Sequence, residues 1–383
     1  MIYREFGKTG EKISAIGFGC MRLPEIERDG VWSMDQEKVN EMMQYAYEHG
    51  INYFDTAPYY CHSNSEAAVG EGVKAFRDKV LLSTKLPTGD VKTAADTWTF
   101  LEQSLTRLQT DYIDFYHVWA TNWQEFSGHV VKDGILQELK KAKEQGKIRH
   151  ICFSFHDKHE NIRRIIELAE AEGVPMESML VQYNMLDRGV EDMLVFANGE
   201  KGLGTVAMGP VGGGRLAART KFTDALAGDT GLTSYELAFR FVLGNPHMCC
   251  ALSGMQNIEM VKQNCAIAES ERPLSQEEWR ALGEVVDKLR RFSELYCTGC
   301  GYCQPCPKGI DIPYIFDQYT HHNVYGLSEN AKNGYRHYLT ERKGASFADC
   351  VNCGKCEAAC PQKLPIREKL EMVDKTLRAL WEK

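Results

Sequence analysis

Short apolar runs rich in Val, Ile, Tyr and Phe alternate with amphipathic stretches of helical period over most of the chain, the pattern of βαβ units that build a parallel sheet. Eight units are read, with strands over 13–18, 51–54, 80–85, 112–118, 149–154, 179–183, 203–208 and 249–253. The intervening helices are read over 35–49, 65–76, 94–108, 136–145, 157–172, 191–200, 233–243 and 256–268. Eight repeats fit a closed (β/α)8 barrel of the α/β class better than an open sheet. Ahead of them, Tyr3-Arg4-Glu5-Phe6 and Lys12-Ile13-Ser14 flank the turn-rich Gly7-Lys8-Thr9-Gly10, a β-hairpin suited to plugging the barrel's lower end. After Pro273 the pattern changes. Ser275 and Glu278 form a capping-box signal for a helix over 276–292, and residues 307–349, rich in Tyr, His and Asn, carry no strand signal and read as helical. Two domains follow: a barrel over 1–272, and a linker helix with a mainly helical C-terminal domain over 273–383.

Composition supports that division, because 383 residues exceed the usual size of one compact domain. With 43% hydrophobic and 26% charged residues the chain is of ordinary globular type. A net charge of -8 offers no electrostatic footprint for nucleic acid. The first residues, MIYREFGKTGEKIS, lack the apolar run of a secretory signal, and no stretch reaches the ~20 apolar residues needed to span a bilayer. A cytoplasmic protein without a membrane partner is expected.

Cysteine usage changes the picture more. Of 14 cysteines, eight fall in two tight runs near the end, which in a reducing compartment points to metal ligation. Cys350, Cys353, Cys356 and Cys360, followed by Pro361, have the C-x2-C-x2-C-x3-C-P spacing of bacterial ferredoxins. Cys297, Cys300, Cys303 and Cys306, followed by Pro307, match except for a shorter last gap. Three closely spaced thiolates wrap one cube face while the last is turned toward the other cube. Cys297, Cys300, Cys303 and Cys360 are therefore assigned to one [4Fe-4S] cluster, and Cys350, Cys353, Cys356 and Cys306 to a second. Two Zn(Cys)4 sites would draw on the same eight residues, but the Cys-Pro endings and the repeated two-residue gaps favour iron–sulfur. The long separation of the runs resembles helical dicluster ferredoxin domains. Cys20, Cys152, Cys249, Cys250 and Cys265 read as small core residues, and Cys61 stands beside Tyr60.

Chemistry in such a barrel sits just past the strands' C-terminal ends, where Asp55, Tyr60 and Lys85 stand, with His117 in the fourth strand. Residues 1–270 resemble the aldo-keto reductases through Gly50-Ile51-Asn52-Tyr53-Phe54-Asp55-Thr56-Ala57, Ser83-Thr84-Lys85, Asp111-Tyr112-Ile113-Asp114, Val181-Gln182-Tyr183-Asn184 and Ser253-Gly254-Met255 through Asn264. The resemblance implies Tyr60 as proton donor, its phenol shifted down by the Lys85 ammonium, which Asp55 holds in place. The family's carbonyl-polarising histidine falls at Trp119, and His117 lies two positions earlier, one layer deeper unless a bulge brings it forward. His62 is another possible substitute.

For the nucleotide, Gln182 and Tyr183 match residues that contact and stack on nicotinamide, while the expected Ser-Asn pair reads Ser154-Phe155. Gly254 and Met260 stand where NADPH-binding members carry basic groups, so NADP(H) is less favoured than FMN or NAD(H). The loop Gly209-Pro210-Val211-Gly212-Gly213-Gly214-Arg215 and the Ser253-Gly254 turn suit a phosphate.

Clusters pass single electrons whereas nicotinamide delivers a pair, which makes a flavin converter attractive. The favoured function is an iron–sulfur oxidoreductase that reduces a small organic carbonyl or activated C=C compound, fed by a ferredoxin- or flavodoxin-type donor. The alternatives are an NAD(P)H-dependent aldehyde or ketone reductase with structural clusters, and an electron-transfer subunit whose barrel is a non-catalytic scaffold. Substrate choice is expected in the loops 119–134 and 215–230.

Overall fold

The computed structural model describes residues 1–185, 187–214, 216–217, 224, 227, 231–269, 274, 277–278, 282, 297, 301–323 and 328–381. The chain folds as two compact units, Met1–Val211 with Ala238–Leu274, and Gly212–Leu237 with Ser275–Lys383.

In the first unit a closed parallel barrel runs in the order β3 (Ile16–Gly19), β6 (Tyr53–Asp55), β7 (Leu81–Leu86), β8 (Ile113–Thr121), β9 (Ile148–Phe155), β10 (Ser178–Gln182), β11 (Gly204–Met208) and β12 (Cys250–Gly254), the last pairing with β3. The strands are buried on both sides, inward against each other and outward against helices, and hence read as apolar runs. The reading of one strand over 13–18 is corrected. Lys12–Ser14 is β2 and pairs with β1 (Tyr3–Glu5) in the N-terminal hairpin, and the chain changes sheet at Ala15. From that hairpin Phe6, fully buried, packs edge-on against Phe115 (4.9 Å) and Tyr53 (6.1 Å) at the floor of the barrel. Gly7 is required there: its φ is +58°, and a Cβ would lie 2.3 Å from the Gly202 carbonyl oxygen.

Two buried carboxylates brace the barrel wall. Asp114 is held by Arg77 and Arg149, each at 2.9 Å, and accepts the Leu82 N–H; Glu66 takes Arg107 at 2.6 Å and the Thr84 hydroxyl at 2.6 Å. A second hairpin, β4 (Glu25–Arg28) with β5 (Val31–Met34), follows β3 and is additional to the elements read from the sequence pattern. Its turn is Asp29-Gly30, both at positive φ, the strongest short hairpin signal a sequence offers.

The second unit is helical. Ile312–Asn323, Ser328–Thr340 and Ile366–Ala379 bury Ile315, Phe316, Tyr335, Leu370 and Val373 together, and the cysteine runs pack around this core. The helical reading of 307–349 thus has two helices within it. The expected helix over 276–292 lies almost wholly outside the described residues. Among the described residues no helix is long and apolar enough to cross a membrane.

Candidate active site

Asp55 ends β6 and Lys85 lies near the end of β7, both only 1% exposed, and their side chains meet at 2.7 Å. The ammonium also donates to the Thr56 carbonyl at 2.6 Å, and the Ser83 hydroxyl donates to the other Asp55 oxygen at 2.7 Å. A buried charge pair persists only when its remaining hydrogen-bonding capacity is filled in this way. Over it lies Tyr60, its ring centroid 4.8 Å from the Lys85 ammonium nitrogen. Burial opposes the charge on Lys85, but Asp55 and then Tyr60 outweigh it and keep its pKa above the usual lysine range. Burial likewise drives the Tyr60 phenol up, with Lys85 pulling it down; the net direction is upward, so in the resting site Tyr60 is a neutral phenol rather than the acidified one expected.

The chain leaves Tyr60 in an unusual conformation. Cys61, His62 and Ser63 have φ of +51°, +50° and +67°, three successive non-glycine residues in the left-handed region, where each is strained. Side-chain contacts hold the turn. His62 Nδ1 lies 2.7 Å from Glu25 and its ring stacks on Trp32 of the β4–β5 hairpin at 4.5 Å, while the Cys61 thiol reaches the Cys20 and Met21 carbonyls at 3.5 Å. His62 is thus a clamp for the turn rather than a neighbour of the Asp55–Lys85 pair.

Trp119 stands edge-on to Tyr60, with centroids 5.9 Å apart at 87°, and tilted against Tyr59 at 5.5 Å. A bulge follows it: the β8–β9 register shifts between Val118 and Thr121, Ala120 has φ +50°, and its N–H donates to the Ser154 hydroxyl at 2.8 Å. The bulge acts beyond His117 and does not bring it forward. His117 lies in register with Lys85, fully buried, neither ring nitrogen with a well-formed hydrogen bond. Burial first, and then the Lys85 charge, push its pKa down to about 3, with the Phe153 main chain opposing. The imidazole is neutral at physiological pH. His117 binds protons later than it would unfolded, so between its ordinary pKa of 6.5 and about 3 the unfolded chain holds more protons and stability falls with falling pH. His117→Phe is accordingly expected to flatten the loss of barrel stability between pH 6.5 and about 4, measured by denaturant unfolding at several pH values; an unchanged slope would contradict this.

His156, which the sequence pattern does not single out, lies one residue beyond β9. It is partly exposed, and its main-chain N–H donates to the Thr121 carbonyl at 2.9 Å, just past the bulge. Burial lowers its pKa to about 4 against the Ser154 main chain, and the Lys85 charge lowers it further.

Of the nucleotide-site residues, Ser253 and Asn264 come together, the Asn264 amide donating to the Ser253 hydroxyl at 2.7 Å. Gly254, at the end of β12, has the Arg22 side chain beside it, 3.7 Å from where a Cβ would be. Gln182 packs against Gly209, which has φ +61°. Tyr183 departs from the expectation of a stacking face. It is 1% exposed and packed on Phe241 at 5.5 Å, its hydroxyl donating to Glu191 at 2.9 Å and accepting from Asn245 at 3.2 Å. Neighbours in an extended strand point to opposite faces, so Gln182 and Tyr183 do not both face the barrel interior. Gly212, Gly213 and Gly214 all have positive φ and group with the second unit; Arg215 lies outside the described residues.

In the second unit, two hollows are ringed by thiols. One is lined by Cys303, Cys306, Cys350, Cys353 and Cys356, the other by Cys297, Cys303 and Cys360. Cys300 lies outside the described residues. The Asn352 N–H donates to the Cys350 sulfur at 3.4 Å. Among the described residues no three His, Cys, Asp or Glu side chains converge on a single-ion position. A soft all-thiolate set around a hollow fits an iron–sulfur cluster.

Comparison with known proteins places these features in context. Residues 15–287 match the model of the aldo/keto reductase family and residues 296–364 that of a 4Fe-4S dicluster domain. Similar curated proteins include the uncharacterized oxidoreductase YqkF of Bacillus subtilis (26% identical; 73% of this chain, 94% of that protein) and L-galactose dehydrogenase of Arabidopsis thaliana (27%; 76% and 95%). Among solved structures, the holo form of aldo-keto reductase AKR11C1 from Bacillus halodurans superposes with a TM-score of 0.62 at 26% identity, covering 74% of this chain and 96% of that one. An aldo/keto reductase from Klebsiella pneumoniae in complex with NADP and acetate gives 0.61 at 26% identity, covering 73% and 94%. The chain belongs to the aldo/keto reductase family, and it carries a 4Fe-4S dicluster domain after its barrel.

Proposed function

We propose that this oxidoreductase reduces a small organic carbonyl or activated C=C compound in the barrel, using electrons that pass through two [4Fe-4S] clusters. The observation that carries the reading is Tyr60 lying 4.8 Å over a Lys85 ammonium that Asp55 fixes at 2.7 Å. Tyr60 gives its proton to the substrate atom that gains negative charge. The phenolate left behind is stabilised by Lys85, which costs no reorganisation because Asp55 and the Thr56 carbonyl already orient it. Stabilisation of this kind acts on the developing charge and lowers the barrier without acidifying the resting phenol. His156, rather than His117, is the reading we favour for the second hydrogen-bond donor to the substrate, since it is partly exposed just past the end of β9 while His117 is fully buried. Trp119 supplies an apolar wall beside Tyr60.

Ser253, Asn264, Gly254 and Gln182 are the residues that would hold a nucleotide, FMN or NAD(H), at the barrel mouth; such a group supplies hydride chemistry when bound. Cys297, Cys300, Cys303 and Cys360 are proposed to ligate one cluster and Cys306, Cys350, Cys353 and Cys356 the other, and the linings of the two hollows support that crossed assignment.

Anaerobic visible spectroscopy tests the reading. Dithionite is expected to bleach the cluster absorbance, and a small aldehyde or enone to restore it with stoichiometric product. Bleached clusters that no such compound reoxidises would sink the proposal. The plain NAD(P)H-dependent reductase is the second reading, favoured by the Klebsiella pneumoniae neighbour's complex with NADP; NADH consumption at full rate with clusters held oxidised would select it.

A further inference from the structure

The two hollows differ in what surrounds them. The hollow of Cys303, Cys360 and Cys297 is lined by Phe316, Leu364 and Ile366, all buried, and by no charged residue among those described. At the hollow of Cys306, Cys350, Cys353 and Cys356, Cys353 is exposed and Val351 beside it is 56% exposed. Every charged residue lining it among those described is basic, namely Lys308, Lys355 and Arg367. Both lysines are exposed. Arg367 pairs with Glu357 at 2.7 Å and also bonds the Asn352 carbonyl at 3.2 Å, so the guanidinium keeps Glu357 neutralised and leaves the two lysines as the net charge of this rim. In a chain of net charge -8, such a rim is a local inversion of sign.

We propose that this rim is the docking surface for a small acidic one-electron carrier of ferredoxin chemistry, which loads electrons into the cluster at Cys306, Cys350, Cys353 and Cys356. The inference rests on the cluster-fed reading above. An acidic carrier is repelled by the net negative charge of this protein and attracted at the basic rim, which orients it with its own cluster toward the exposed Cys353 edge. The exposed Val351 gives the complex an apolar contact at its centre, with charges around it. One electron lost by the reduced carrier is gained by the facing cluster, with no proton moved. The second hollow, which shares Cys303, Ile312 and Ile366 with the first and has no charged lining residue among those described, lacks the charge that would attract the carrier.

The test uses the full-length protein with its clusters loaded, a reduced acidic two-cluster bacterial ferredoxin as probe, and stopped-flow absorbance of cluster reduction. Lys308→Glu/Lys355→Glu is expected to slow reduction by the ferredoxin about tenfold or more at low salt. Raising the ionic strength from about 0.05 to about 0.5 M is expected to slow the wild type and not the variant. Photoreduced deazaflavin, a small neutral reductant, is expected to reduce both alike, and cluster content from visible absorbance identifies any variant that has lost its clusters. Equal rates for wild type and loaded variant, or a wild-type rate indifferent to salt, would overturn the docking surface while leaving the barrel chemistry standing. Clusters that ferredoxin never reduces, though deazaflavin does, overturn it as well. Clusters reduced by deazaflavin but never reoxidised by substrate would instead remove the cluster-fed reading itself.

Discussion

Tyr60→Phe is expected to lower turnover of carbonyl or enone reduction by about 10²–10⁴-fold, the usual contribution of one positioned proton donor. Binding of substrate should change far less, because the ring, its edge contact with Trp119 and its place over Lys85 all survive loss of one oxygen. The measurement is kcat and KM with an electron source in excess, together with cluster reduction in the same preparation. A variant that turns over at the wild-type rate would remove Tyr60 from the chemistry. One whose KM alone rises would make it a binding group.

Lys85→Met carries the largest expected cost in stability. It removes the partner of a carboxylate that is 1% exposed, leaving Asp55 charged and uncompensated in the barrel interior, which costs about 3–5 kcal/mol. Asp55→Leu combined with Lys85→Met should recover much of that loss, since removal of both charges also removes their desolvation. Denaturant unfolding of wild type, both single variants and the double variant supplies the cycle. Additive losses in the double variant would show that the pair is not coupled. Activity is expected to be absent in all three variants, so the stable double variant separates the catalytic need for the pair from its structural one.

The parts of this molecule legible in sequence are those whose physics repeats. Strands enclosed on both faces declare themselves as apolar runs, and ligands for a rigid cube declare themselves by fixed short gaps. Asp55, Tyr60 and Lys85 stand out because their motifs resemble those of the aldo-keto reductases, and the structure adds the burial and contact of the pair beneath the phenol. The hairpin Glu25–Met34 escapes a reading that passes straight from the first strand to the first helix, although Asp29-Gly30 announces it. The left-handed turn at Cys61–Ser63 and the bulge at Ala120 have no signal at all, since neither uses the Gly or Asn that such backbone favours. Both are imposed by tertiary contacts, the His62–Trp32 stack and the Ser154 hydroxyl, which link residues remote in the chain. The packing of Tyr183 on Phe241, with its hydroxyl bonded to Glu191 and Asn245, is set by residues outside its motif and so is not legible there. His156 falls just outside an apolar run, where it reads as the approach to a helix.

The shared linings of the two thiol hollows also bear on how the protein is made. Cys303 borders both hollows, and each is completed by residues from the other cysteine run. The N-terminal run leaves the ribosome well ahead of Cys350, yet the wall it needs ends only at Cys360. Neither receptacle is whole until synthesis has passed that point. Either run alone therefore offers only part of each thiol ring.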